Sequence, residues 1–169
     1  MTIAESLLAE FERETPTTIK FLERIPEDKL AWRPHEKSMT AGQLALHMAV
    51  VPSQVVAMAR EDAAQVPNVS GDRPQAKTKQ EYMDVLADSI AQVKQVLSTF
   101  TDEQMQATWR LKIGDKELLA MPRAAFLRNI LLNHWYHHRG QLGVYLRLLG
   151  AKVPSSYGPS ADEMPDFAR

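Results

Sequence analysis

Apolar residues recur at three- and four-residue steps in four stretches of the chain, the spacing that lines up one face of an α-helix. The first stretch carries Ile3, Leu7, Leu8, Phe11, Ile19 and Leu22, with Thr15 filling the same stripe. Pro16 predicts a kink in it and Pro26 an end, followed by a turn-rich run, Leu30-Ala31-Trp32-Arg33-Pro34-His35. The second helix starts near Thr40, where Ser38 or Thr40 can cap the exposed backbone N–H groups. Its stripe reads Leu44, His47, Met48, Val51, Val55 and Met58, and Pro52 predicts a bend just past His47. Residues 66–77, with Pro67, Gly71 and Pro74, read as a surface loop.

The third helix runs from about Lys79 to Phe100, with Tyr82, Val85, Leu86, Ile90, Val93, Leu97 and Phe100 on one face. Residues 101–121 are less regular. Between Trp109 and Leu118 polar and apolar residues alternate about Gly114-Asp115, which allows a short hairpin. The fourth helix starts at Pro122, a residue favoured in a first turn, and stops at Gly150. The tail from Val153 holds three prolines and is expected to be irregular. Four helices of about 20 residues with one long link predict an all-α four-helix bundle, a single domain over residues 1–169.

Composition narrows the function. With 20 basic and 21 acidic residues and no dense basic run, nucleic acid is not an expected partner. Cysteine is absent, which excludes disulfides, thiolate metal sites and cysteine nucleophiles. Glu5, Glu10, Glu12 and Glu14 interrupt the first apolar stretch, so it does not read as a signal peptide, and no segment reads as a membrane span. The expected compartment is the cytoplasm.

The fourth helix carries the informative stripe: Leu127, Ile130, His134, His138, Gln141, Tyr145 and Leu148. His134 and His138 stand one turn apart on one face, and His47 lies on the apolar stripe of the second helix. Three imidazoles facing one core must each be paired or lose about 1–3 kcal/mol to desolvation. One divalent metal would satisfy all three and keep a position open for water or substrate. The plain alternative is a pair of hydrogen-bonded, partly exposed histidines. No HExxH motif supplies a general base beside them, and no residue is assigned a catalytic role.

His137 lies about 100° around the helix and is expected at the rim. Gln141 and Asn133 are the nearest candidates to receive the second N–H of a ligand histidine, and for Gln141 a simple helix–helix hydrogen bond competes. His35 is expected at the surface, Tyr136 and Tyr145 in the core, and Arg139 in a salt bridge. Leu131, Leu132, Trp135, Leu142, Leu146 and Leu149 form a second apolar side, to be covered by residues 101–121 or by another subunit.

At these residues the chain resembles the DinB-like family of four-helix-bundle proteins. The match lies in the run from Asn133 to Leu142, in Val144-Tyr145-Leu146-Arg147, in Ser38 to Leu44 leading to His47, and in Leu30 to Pro34. Val153-Pro154 and the run from Tyr157 to Glu163 resemble the tail of one branch. The resemblance implies up-down-down-up topology, a metal on His47, His134 and His138, and frequent homodimers. Some relatives look like metal-dependent thiol S-transferases and others like hydrolases or isomerases. The expected function is therefore transfer of a low-molecular-weight thiol to an electrophilic small molecule, or metal-dependent hydrolysis. The alternative is a non-catalytic metal-binding stress protein or a dimeric interaction module. Imidazole-only sites suit several metals; zinc is expected first, with nickel or iron next.

Overall fold

The computed structural model describes residues 1–67 and 73–165. Gly71, part of the expected loop, lies outside the described residues. The chain is mostly helical and carries a small three-stranded sheet, so the all-α expectation is corrected. Helix α1 spans Ile3–Glu23, α2 Ala41–Arg60 and α3 Lys79–Leu97. After a short α4 (Asp102–Gln106) the hairpin is real, with β2 (Thr108–Ile113) antiparallel to β3 (Lys116–Pro122). Gly114 takes the positive φ (56°) that the first central position of a two-residue II′ turn needs. A further strand, β1 (Ala63–Gln65), leaves the end of α2 and pairs in parallel with β2.

Local chemistry fixes the helix ends. Thr2, Thr40 and Thr101 each cap a helix and complete a capping box with Glu5, Gln43 and Gln104. Thr40, rather than Ser38, caps α2. Gly42 packs so tightly that a Cβ there would stand 3.0 Å from the Ala76 carbonyl and 3.1 Å from that of Leu30. Both α1 and α2 continue through Pro16 and Pro52.

The C-terminal helix starts at Arg123, not at Pro122, and has three parts: α5 (Arg123–Phe126), a π-helical turn (Leu127–Asn133) and α6 (His134–Leu148). It ends in a Schellman motif. Gly150 (φ 71°) donates to the Arg147 carbonyl and Ala151 to that of Leu146.

Helices α1, α3, α2 and α6 pack in a ring, each on two of the others. Phe11, Leu22, Leu44, Met48, Leu86 and Trp135 are fully enclosed in the core. Among the described residues α2 alone is long and apolar enough to cross a membrane, a length and composition that the sequence reading did not credit to any segment. Its apolar surface is spent on α3, α6 and the π turn. The second apolar side of the C-terminal helix is closed within the chain, where Trp135 stacks on Phe11 of α1 at 5.0 Å and donates its Nε1–H to the Met48 carbonyl of α2. Neither residues 101–121 nor a second subunit is needed to cover Trp135.

Candidate metal centre

His47 comes from the middle of α2, and His134 and His138 from the first two turns of α6. Their Nε2 atoms converge. His138 Nε2 lies 3.1 Å from that of His47 and 2.8 Å from that of His134, and one possible donor atom from each ring falls within 4.8 Å of the other two. Nitrogens sharing one metal at about 2.0–2.1 Å stand about 3 Å apart, so the donor set fits a single divalent ion.

The protonation states suit the same purpose. Burial, reinforced by the neighbouring rings, holds His47 down to about 4. His138 is likewise lowered to about 4 by burial, against a raising contribution from Gln141. His134 is lowered too, first by burial and then by His137. Neutral rings offer lone pairs. Gln141 Oε1 accepts from His138 Nδ1 at 2.9 Å, which fixes the proton there and leaves the Nε2 lone pair facing the other two rings.

The π turn shapes the third ligand. The His134 backbone N–H reaches back to Asn129, five residues away, so the Ile130 carbonyl is released from its usual helical partner. That carbonyl lies near enough to the His134 ring to favour its protonated form, yet the buried Nδ1 has no partner at hydrogen-bond geometry.

The three rings line a cleft of about 630 Å³ between α2 and the C-terminal helix. Leu46, Val50, Val55 and Met58 form one wall, Phe126 and Ile130 the other, and Leu111 of β2 closes the far side. Among the described residues lining it there is no carboxylate, and Arg73 is the sole formal charge. Trp109 braces this end by stacking on Phe126 at 3.7 Å and bonding the Met58 carbonyl.

The other expected residues fall into place around this centre. His137 is exposed at the rim, its ring 4.9 Å from that of His138. Asn133 points away, exposed and bonded to Asn129, so it supports no ligand. His35 is at the surface and does not line the cleft. Tyr145 donates to the Met39 carbonyl and Tyr136 to Glu10, so neither hydroxyl reaches the rings. Arg139 makes the expected ion pair, but in the interior. Sequence reasoning missed Arg73, placed in an anonymous loop, and the wall residues Leu46 and Val50. The signal for these two was available: α2 is apolar beyond its main stripe.

Residues 1–166 match the family model described as "DinB family". A protein from Bacillus subtilis (strain 168), printed as "Uncharacterized protein YrdA", is 28% identical over 164 residues, covering 96% of this chain and 93% of that protein. Among solved structures, a DinB-like protein from Bacillus cereus ATCC 10987 superposes with a TM-score of 0.69 at 24% identity, covering 90% of this chain and 97% of the other. A DinB-like protein (YjoA) from Bacillus subtilis gives 0.67 at 20% identity, covering 94% and 99%.

Proposed function

This chain belongs to the DinB family, and from that membership and the convergence of three neutral imidazoles we propose a metal-dependent thiol S-transferase. The four long helices are read as the family's up-down-down-up bundle, with His47, His134 and His138 holding one divalent transition metal, zinc first and nickel or iron next. The observation that carries the reading is the trio of Nε2 atoms in the wall of a largely apolar cleft. Bound there, a divalent ion supplies Lewis-acid activation, lowering the pKa of a small thiol so that it is a nucleophile at neutral pH.

The chain's own residues do the rest. Gln141 orients His138. Val50, Val55, Met58 and Phe126 offer an apolar wall that excludes water from the electrophile's body. In the displacement the S–H bond and the bond from carbon to its leaving group break as the sulfur-to-carbon bond forms, the thiol proton going to solvent and the leaving group departing as its anion. Hydrolysis is the close variant, but activating a water calls for a base, and no carboxylate stands among the described cleft residues.

The test is elemental analysis of untagged protein purified without a nickel column, beside His134→Ala and His138→Ala. About one metal per chain in the parent, lost in both variants, is expected. A panel of thiols and electrophiles on the loaded protein then gives turnover with thiols and none with water alone. The reverse pattern would overturn the transferase reading, and a metal-free parent would overturn the centre itself.

A further inference from the structure

Arg73 is the sole charged side chain among the described residues of the cleft, and it stands at the mouth beside Met39, Gln43 and Pro74. Its position is held from below. Gln43 accepts from the Thr40 N–H at 2.9 Å and donates to the Arg73 carbonyl at 3.0 Å, which pins this backbone over the start of α2. Pro74 then restricts the conformation of Arg73 itself. The guanidinium Nη1 lies 3.5 Å from the Met39 thioether, a weak acceptor that an oxyanion outcompetes. Its charge is felt inside, since Arg73 is among the groups that disfavour protonation of all three histidines.

Along α2 the histidines stand between two zones: Gln43, one turn before His47, has Arg73 and Met39 beside it, and Val50, Val55 and Met58 lie in the other direction. We propose that Arg73 is a specificity-determining residue that selects ligands bearing a carboxylate close to the group bound at the histidines. A planar guanidinium pairs with a carboxylate through two parallel hydrogen bonds, which a neutral ligand of the same length cannot make. The opposite zone, with Val50, Val55, Met58 and Ile130, offers a charge no partner, so a carboxylate is directed to Arg73. This inference rests on the thiol reading above for the group bound at the histidines, and on Arg73 alone for the carboxylate.

The experiment uses cobalt-substituted full chain and reads the sulfur-to-cobalt charge-transfer absorption. Mercaptopropionate and mercaptohexanoate are titrated against propanethiol and hexanethiol. At least one mercaptocarboxylate is expected to bind about tenfold tighter than the neutral thiol of equal length, as one charge-assisted pair allows. Arg73→Gln removes that advantage by weakening the carboxylate ligand, and Arg73→Lys restores part of it. Equal affinities in the parent, or a preference that survives Arg73→Gln, overturn the assignment. If no thiol perturbs the cobalt spectrum, the thiol reading fails separately. Arg73 is then judged by calorimetry of hexanoate against hexanol on metal-free protein, where binding of hexanoate must again depend on Arg73.

Discussion

At the residue scale, the cost of burying three imidazoles side by side sets a pH signature. His47 and His138 titrate near 4 in the folded chain and His134 is lowered as well, whereas an unfolded histidine titrates near 6.5. Between those values the unfolded state binds more protons than the folded one, so folding stability falls as the pH drops. The contribution is fully present above about 6.5 and is lost as the pH falls toward about 4. Glu10, held below the ordinary carboxyl range by Arg128, and Asp162, held below it by Arg147, add to the loss at the bottom of this window and below it. Metal-free protein, kept so with a chelator, should therefore melt at steadily lower temperature from pH 6.5 to 4. Replacing His47 and His138 with Gln should flatten that slope. A parent whose melting point is level across the window would mean that the rings are not buried in their neutral form.

At the scale of elements, the decisive feature is the π turn, and it is also where a uniform helical period misleads. Leu127, Ile130 and His134 share a face only if every residue advances by about 100°. One π turn acts like one extra residue and shifts the phase by roughly that amount. Ile130 still lines the cleft with His134 and His138, 39% exposed, whereas Leu127, expected on the same face, is fully buried outside the cleft lining. The turn reconciles two anchors. Upstream, Arg123 bonds Asp62 and the Gln104 carbonyl, and Phe126 stacks on Trp109. Downstream, Trp135 is locked between Phe11 and Met48. Deleting the exposed Asn129 should restore a plain α-helix and put the two anchors out of phase. The expected result is bound metal lost and a melting point several degrees lower, even though an uninterrupted helix is intrinsically the better-bonded one. Full metal content with unchanged stability would show that the turn merely tolerates a spare residue. His134 and His138 were legible because their own spacing lies wholly within α6. The parallel strand β1 was not, because three residues of Ala-Ala-Gln carry no periodic signal.

At the scale of the whole molecule, α1 supplies no ligand yet sets where the ligands stand. Glu10 and Glu14, one turn apart on α1, pair with Arg128 and Arg139 on the C-terminal helix at 2.5 and 2.7 Å. In the sequence these glutamates only interrupt an apolar stripe; that they stitch two helices together depends on which face meets which, and no local pattern says so. The inner pair is the stronger constraint. Arg139 is 2% exposed, its Nη1 reaches the Thr18 hydroxyl, and its guanidinium lies over the rings of Tyr136 and Tyr157, 5.1 Å from each. Tyr157 also donates to Glu14, so the tail is tied to the same point. Removing one member of a buried pair leaves the other charged and desolvated, at a cost of about 3–5 kcal/mol. Replacing both with apolar residues of similar volume leaves no such charge. Arg139→Met should therefore lower the urea midpoint sharply, and adding Glu14→Leu should recover most of the loss. Were the double variant as weak as the single one, the stabilisation would lie in the stacking of Arg139 on the two tyrosines rather than in its pairing with Glu14. That outcome would make the tail a structural partner of α6 in its own right, holding beside α1 the helix that presents His134 and His138.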